Sequence, residues 1–286
     1  MTAEVIGYLR PERGGLFLDC TVGTGGHARA LLEHGARRLL GLDRDRDALG
    51  VAADQLAGWR DRLELVHADY RDVEAVLAAR GLREVDGALA DLGMSSFQLD
   101  QPERGFSFQR DEVLDMRMDR SQGPTAAELL RDASEATLAD VLARYGEEPR
   151  ARQVARAIVE ARRRDPLQTT GQLVAVVHRV LPRRGRIDSA TRTFQAIRIW
   201  VNRELDGLDG FVAAVMRRLS IGARFVVITF HSLEDRIIKV ALRSLARSDE
   251  RAVRVLTKHV VRPARVEMAR NPRARSAKLR AAERVA

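Results

Sequence analysis

The chain has 286 residues, 45% of them hydrophobic, which predicts one globular domain with an insertion and excludes a wholly disordered protein. The formal net charge is +9, and residues 236–286 alone carry 15 basic and 4 acidic residues, which favours a polyanionic partner. The single cysteine, Cys20, excludes a disulfide framework and a cysteine zinc site. No basic-then-apolar leader opens the sequence and no uncharged run approaches about 18 residues, so we expect a cytoplasmic protein.

The first hundred residues alternate strand and helix patterns in the way that a parallel sheet requires. The predicted strands are Gly15–Asp19, Arg38–Asp43, Leu63–Asp69 and Val85–Gly93. In open α/β sheets, ligands bind at the carboxyl ends of the strands. The sequence therefore predicts one cleft lined by the loops DCTVGTGGH, DRD, HADY and DLGMSS.

The alternation breaks after the fourth strand. The run SSFQLDQPERGFSFQRDEVLDMRMDRSQG is too long and irregular for an ordinary connection, which predicts a functional loop. Only helical patterns follow as far as about Leu205, and the first of them has Thr125 and Glu128 at the spacing of a capping box.

Strand patterns resume at Arg224–Phe230, followed by a helix and a last short strand around VRVLTKHV. We therefore predict an α/β domain that is interrupted by an all-helical insertion. The predicted boundaries are 1–105 and 206–286 for the α/β domain, with a basic C-terminal tail, and 106–205 for the insertion.

A glycine-rich turn follows the first predicted strand. Gly23, Gly25 and Gly26 allow the backbone to approach a ligand closely, and the next helix adds its amino-terminal amides. The spacing G-x-G-G-H differs from the dinucleotide-binding pattern G-x-G-x-x-G. On residues alone, the motif is compatible with a cofactor loop or a tight strand-to-helix turn, and His27 with a cap, a packing residue or a ligand contact.

Three further candidates lie at strand ends. Asp43 closes the second strand, where an acid accepts hydrogen bonds from a ribose diol of either NAD or S-adenosylmethionine. Tyr70 follows the third strand and is compatible with stacking on adenine or with a half-buried packing role. Asp91 closes an apolar strand, where a buried unpaired charge is costly, so we expect it to face the cleft.

The histidines offer little evidence for other chemistry. We expect His67, inside the third strand, to be structural, whereas His231 follows the resumed strand in a position open to the cleft. The acids and histidines show no metal-ligand spacing, so we expect no metal site. The sequence also lacks a nucleophile elbow with the order Ser-Asp-His, which argues against a hydrolase of that class.

Long stretches of the chain are more specific than any of these single residues. They read GTGGHARALL, GLDRD, DLGMSSFQLD, ERGFSF, VLDMRMD, ATRTFQAIRIWVNREL, FHSLEDRIIK and NPRARSAKLRAAER. Together they resemble the bacterial ribosomal RNA small subunit methyltransferase H family, also called MraW, over nearly the whole chain. The resemblance implies a Rossmann-like class I methyltransferase sheet and S-adenosylmethionine-dependent methylation of the exocyclic N4 of a cytidine in the decoding region of 16S rRNA.

The resemblance also implies roles for particular residues. Residues at the family's cofactor-contacting positions are Gly25, Gly26, His27, Asp43, Tyr70, Asp91 and Gln98. Asp43 occupies the ribose-binding position and Tyr70 the position beside adenine. Asp91 is the candidate catalytic residue, because a carboxylate that accepts an N4 hydrogen bond makes that nitrogen more nucleophilic. A purely cofactor-binding role for Asp91 remains an alternative.

Aromatic and basic residues are candidates for RNA contact. Phe97, Phe106 and Phe108 would either stack on an unstacked base or anchor the irregular loop to the inserted helices. The expected partner is 16S rRNA in the small ribosomal subunit. The predicted phosphate contacts are Arg183, Arg184, Arg186, Arg270, Arg273, Arg275, Lys278 and Arg280, with a solvated tail as the alternative for the last five.

Two other functions share some of these signals. An NAD-dependent oxidoreductase is disfavoured by the glycine spacing and by the lack of a hydride-transfer constellation of His, Tyr or Lys. A non-catalytic RNA-binding protein on the same fold is disfavoured because every cofactor-loop position is retained. The chain differs from the family pattern in opening with MTAEVIGYL, where the family has a segment like H-x-P-V-L, and in reading RIDS instead of HP before ATRTFQ.

Overall fold

The computed structural model describes residues 1–182, 188–248 and 252–286. These residues form two compact units, an α/β unit of residues 1–93 and 205–286 and a helical unit of residues 94–204. The first boundary lies between Gly93 and Met94, earlier than the predicted 105/106, because the irregular run after the fourth strand packs with the helices. The second boundary, between Glu204 and Leu205, lies beside the predicted one.

The α/β unit contains a seven-stranded sheet. Its strands are β1 (Leu16–Asp19), β2 (Arg38–Asp43), β3 (Leu63–His67), β4 (Val85–Asp91), β5 (Leu219–Thr229), β6 (Val253–Val255) and β7 (Lys278–Arg284). The order across the sheet is β3-β2-β1-β4-β5-β7-β6. Strands β1 to β5 are parallel, and β7 runs antiparallel to both of its neighbours. The predicted Rossmann-like class I methyltransferase sheet is therefore confirmed.

Helices cover both faces of this sheet. Numbered along the chain, they are α1 (Thr2–Leu9), α2 (Gly26–Glu33), α3 (Arg46–Gln55), α4 (Val73–Ala78), α11 (Leu208–Arg218), α12 (Ser232–Leu245) and α13 (Arg265–Arg270). Successive strand side chains point to opposite faces, so Phe17 packs in one core with Val5 and Leu31, whereas Leu18 packs in the other with Phe211. Burial on both faces explains why the strands read as continuous apolar runs.

The predicted basic tail requires correction. Residues 278–284 form strand β7, which lies between β5 and β6. Its apolar residues Leu279, Ala281 and Ala282 are fully buried, and Arg280 is 8% exposed. The sequence KLRAAER has no β-branched residue and a composition typical of helices, so pairing on both edges overrides its local propensity.

The helical unit contains α5 (Ser96–Asp100), α6 (Ala126–Asp132), α7 (Glu135–Gly146), α8 (Ala151–Arg162), α9 (Thr170–Val180) and α10 (Thr191–Asn202). The capping box of Thr125 and Glu128 at the start of α6 is confirmed. No described helix is long and apolar enough to cross a membrane. Three of the predicted phosphate contacts, Arg183, Arg184 and Arg186, lie outside the described residues.

The irregular run in this unit is held by specific contacts. Phe106 is buried, and the Phe108 ring makes an edge contact with Phe194 at 4.9 Å between centroids. The Asn202 amide donates to the Met116 carbonyl and accepts from the Met118 amide, both at 2.7 Å. Phe106 and Phe108 therefore anchor the irregular loop to the inserted helices, which was the alternative to stacking on an RNA base.

Candidate functional site

The glycine turn connects β1 to α2. Gly25 is the N-cap of α2 with a φ of 93°, and a Cβ there would lie 2.8 Å from a Leu56 methyl carbon, so the position requires glycine. A Cβ at Gly26 would meet nothing within 4 Å, so the turn opens to free space. Among the described residues, no side chain caps α2, which leaves its first amides available to an anionic group.

Asp43 ties the end of β2 to this turn. Its Oδ2 accepts a hydrogen bond from the Gly23 amide at 2.7 Å, and its Oδ1 accepts one from the Asp45 amide at 2.9 Å. Burial raises the pKa of Asp43 to about 6, although the two backbone hydrogen bonds oppose this effect. The predicted proximity of Asp43 to the glycine turn is present in the structure.

Asp19 is a member of the site that the sequence analysis missed. It closes β1 and is fully buried; its Oδ1 accepts from the Thr21 amide at 3.1 Å, while its Oδ2 has no partner among the described residues. Burial raises the pKa of Asp19 to about 7, and the nearby charges of Asp91 and Asp43 add to the effect. Its position as a strand-terminal acid, like that of Asp43 and Asp91, is the signal that identifies it.

His27 and Asp91 form a pair. His27 lies in the first turn of α2, and its Nε2 is 3.5 Å from Oδ2 of Asp91 at the end of β4. His27 Nδ1 and Asp91 Oδ1 are buried without a hydrogen-bond partner in the described part of the chain. Burial disfavours the charged imidazole, but the hydrogen bond and charge of Asp91, with the charge of Asp19, raise the pKa of His27 above 6.5.

Asp19, Asp43, Asp91 and His27 together make up the strand-end cluster. Buried polar atoms without partners are costly, so three such atoms at one strand edge indicate a polar ligand. The ionised carboxylates of this cluster attract positive charge and repel a pyrophosphate, although Asp19, with a pKa of about 7, is only partly ionised at neutral pH. The cluster therefore fits S-adenosylmethionine, which carries a sulfonium and an ammonium group, better than it fits NAD.

Two of the predicted site residues have other contacts within their own units. Tyr70 is only 8% exposed, and its ring centroid lies 4.6 Å from that of Phe211 in the core. Gln98 belongs to the helical unit, where it forms a capping box with Ser95 through hydrogen bonds of 3.0 and 3.2 Å. The predicted residues that the structure brings together at the glycine turn are Gly25, Gly26, His27, Asp43 and Asp91.

Two further histidines, His67 and His231, have structural contacts. The His67 ring accepts from Arg46 Nε at 3.0 Å and contacts the Arg44 carbonyl at 2.9 Å, which confirms the predicted structural role. His231 is the N-cap of α12, and its Nδ1 accepts from the Glu234 amide at 3.4 Å. His231 therefore serves the start of a helix.

The raised pKa of Asp19 makes stability depend on pH. An unfolded aspartate ionises near pH 3.8 and the folded one near 7, so the folded state loses stability as the pH rises between these values. We expect Asp19→Asn to stabilise the ligand-free protein more at pH 8 than at pH 5, by about 2 kcal/mol. Urea unfolding of both proteins at the two pH values measures this difference, and an equal gain at both would show that Asp19 ionises normally.

Known proteins with similar sequences are methyltransferases, in agreement with the S-adenosylmethionine site that the geometry indicates. The model of the MraW methylase family matches residues 1–285. A Thermotoga neapolitana protein named ribosomal RNA small subunit methyltransferase H is 50% identical over 100% of this chain and 95% of its own length. A protein of that name from Geotalea uraniireducens is 46% identical over 100% and 97%.

A solved rRNA methylase from Streptococcus thermophilus is 12% identical, with a TM-score of 0.43 over 100% of this chain and 94% of its own. The family match spans almost every residue, and the two sequence relatives align along nearly their whole lengths. The chain belongs to the MraW methylase family.

Proposed function

We propose that the protein transfers a methyl group from S-adenosylmethionine to the exocyclic N4 of a cytidine in the decoding region of 16S rRNA. Membership of the MraW methylase family, and the name that its relatives carry, support a small subunit rRNA methyltransferase. The observation that carries the proposal is the strand-end cluster beside the uncapped start of α2. S-adenosylmethionine is the cofactor, and it supplies an electrophilic methyl group when bound.

The strand-end cluster and α2 provide the groups that this cofactor needs. The first amides of α2, at Gly26 and His27, would bind the methionine carboxylate, because a helix amino terminus favours anions. Asp43 would accept hydrogen bonds from the ribose hydroxyls, while Asp19 and Asp91 offset the positive charge. By the family resemblance, we assign Tyr70 and Gln98 to further cofactor contacts.

Asp91 is the residue we assign to the acceptor. Methyl transfer requires the N4 atom to be held close to the methyl carbon and in line with it. The Asp91 side chain is 30% exposed although its Oδ1 is buried, so Oδ2, which also contacts His27, would accept a hydrogen bond from the N4 amino group. That hydrogen bond makes N4 more nucleophilic, and the carboxylate can then take the proton that the methylated nitrogen releases.

The acceptor base must leave its stack to reach such a group. Enzymes that modify bases act on unpaired or flipped nucleotides, and proteins read RNA mainly at exposed bases and phosphates. We therefore assign the partner as 16S rRNA in the small ribosomal subunit, at a cytidine whose base is unpaired or can flip out. The excess of basic residues between 236 and 286 is consistent with this polyanion.

Methyl transfer from radiolabelled S-adenosylmethionine tests the proposal. Small and large ribosomal subunits from a strain lacking the gene are the two acceptors, and we expect label in 16S rRNA only. In parallel, S-adenosylmethionine should raise the melting temperature of the protein by mass action, whereas NAD should not. Label in large-subunit RNA, or protection by NAD alone, would contradict the proposal.

A further inference from the structure

A cavity of about 380 Å³ lies in the α/β unit, away from the strand-end cluster. It is lined by Lys239 and Arg243 of α12, by Lys258 and His259 after β6, and by Arg280 of β7. None of the described residues that line it is acidic. A volume above about 300 Å³ is typical of ligand sites, so the cavity has room for a charged group.

The basic residues of the cavity differ in their partners. Arg280 forms a two-point ion pair with Asp235, at 2.7 and 3.2 Å, so its charge is compensated within the protein. In the described part of the chain, no acid pairs with Lys239, Arg243 or Lys258. These three side chains therefore carry the uncompensated positive charge of the cavity.

The placement of Lys239 and Arg243 has an energetic consequence. They are four residues apart on α12, so they lie on the same face of the helix. Like charges at this spacing destabilise a helix unless an anion lies between them.

Thr257 fixes the loop that carries Lys258, because its buried hydroxyl accepts from the Ala281 amide at 3.1 Å.

The loop after β6, which carries Lys258 and His259 of the cavity, lies towards the same edge of the sheet as the strand-end cluster. Lys278 of β7 is paired with Thr229, the last residue of β5, and Leu279 exchanges hydrogen bonds of 3.0 and 2.9 Å with Val261. The loop between β6 and Val261 is thus at the carboxyl ends of the parallel strands. From β4 to β6 there are three strand spacings, which separate these two strands by roughly 15 Å across the sheet.

We propose that this cavity binds a backbone phosphate of the rRNA strand that carries the target base, an inference that rests on the proposed function. Lys239, Arg243 and Lys258 contact the phosphate, and His259 borders it. Phosphate contacts fix the register of a protein on a nucleic acid without reading its sequence. A phosphate held in the cavity, beside β6 and three strands across the sheet from β4, would help to position the strand whose target base reaches the cluster.

The test removes the three charges together in Lys239→Gln, Arg243→Gln and Lys258→Gln. The matched control removes three exposed charges at the amino ends of the parallel strands, in Arg37→Gln, Arg38→Gln and Arg83→Gln. Arg37 and Arg38 lie just before and at the start of β2, and Arg83 lies just before β4. Binding to small-subunit rRNA from a strain lacking the gene is measured between 50 and 200 mM salt. Thermal unfolding and S-adenosylmethionine affinity report that each variant is folded.

The cavity holds one phosphate, and each lost phosphate contact should reduce the salt slope of log affinity by about 0.7, so the cavity variant should lose about 0.7 units. Over that fourfold salt range, wild type should then lose roughly 2.6-fold more affinity than the cavity variant, and the control variant should resemble wild type. Equal slopes for the two triple variants would overturn the inference.

Two further outcomes separate the possible explanations. If wild type methylates small-subunit rRNA but the slopes of both variants match, the cavity assignment fails and the proposed function stands. If wild type neither binds nor methylates that RNA, the proposed function fails and the cavity assignment fails with it. Tight binding of pyrophosphate to wild type, with an unchanged RNA slope in the cavity variant, would assign the cavity to a small anion instead.

Discussion

Asp91→Asn is expected to reduce methyl transfer by about 100-fold or more at saturating cofactor and RNA. General acid–base groups typically contribute factors of about 10² to 10⁴, and an amide neither activates N4 as a carboxylate does nor takes its proton. The variant is nearly isosteric and keeps the backbone bond from the Asp91 amide to Thr21 Oγ1, at 2.6 Å. We therefore expect the free energy of unfolding to change by about 1 kcal/mol or less.

Turnover at saturating substrates is the measurement that assigns Asp91 its role. Asp54→Asn is the matched control, because Asp54 is exposed on α3 and has the same chemistry. Turnover of Asp91→Asn within about twofold of wild type, equivalent to about 0.4 kcal/mol of barrier, would remove Asp91 from the chemical step. A raised KM for S-adenosylmethionine with unchanged kcat would assign it to cofactor binding alone.

Asp43→Ala is expected to weaken S-adenosylmethionine binding by about 10- to 100-fold. Hydrogen bonds to a charged group contribute about 1.5 to 3 kcal/mol each, and the variant loses those to the ribose. The variant also loses the 2.7 Å hydrogen bond from the Gly23 amide to Asp43 Oδ2, and this bond holds the glycine turn in place. Calorimetry on folded protein measures the affinity, and an unchanged value would show that Asp43 does not contact the cofactor.

A cofactor analogue separates the two contributions of Asp43. S-adenosylhomocysteine and its 2′-deoxy form are compared on wild type and on Asp43→Ala. If Asp43 binds the ribose, removal of the hydroxyl should weaken binding to wild type and have little further effect on the variant. Equal losses in both proteins would assign Asp43 to the organisation of the turn only. Asp54→Ala is the control for the loss of a negative charge, because Asp54 lies on α3, the helix that follows Asp43.

Much of the α/β unit was predictable because its strands are short apolar runs that end in acids or glycines. The second strand, Arg38–Asp43, has its predicted bounds, and β4 begins at the predicted Val85 but ends at Asp91, two residues before the predicted Gly93. Strand ends are a local property of the sequence, so the proximity of Asp43 to the glycine turn followed from the order of a parallel sheet. Asp19 was visible by the same rule, but its full burial depends on β2 and β4 on either side.

Features that depend on distant packing were not predictable. The buried position of Tyr70 is set by Phe211, which lies on a helix beyond the inserted unit. Strand β7 has no strand-like composition, and only its pairing with β5 and β6 makes it a strand. The basic cavity combines α12, a loop and β7. Of its residues only Arg280 was among the predicted phosphate contacts, and its charge is compensated by Asp235.

The identity of the methylated nucleoside tests directly whether the protein methylates N4 of a cytidine in 16S rRNA. Small subunits from a strain lacking the gene are incubated with the protein and S-adenosylmethionine, and the 16S rRNA is digested for mapping by mass spectrometry. We expect one new N4-methylated cytidine in the decoding region, absent when Asp91→Asn replaces wild type. A methyl group on carbon 5 of the base, on a ribose, or at a site outside 16S rRNA would contradict it.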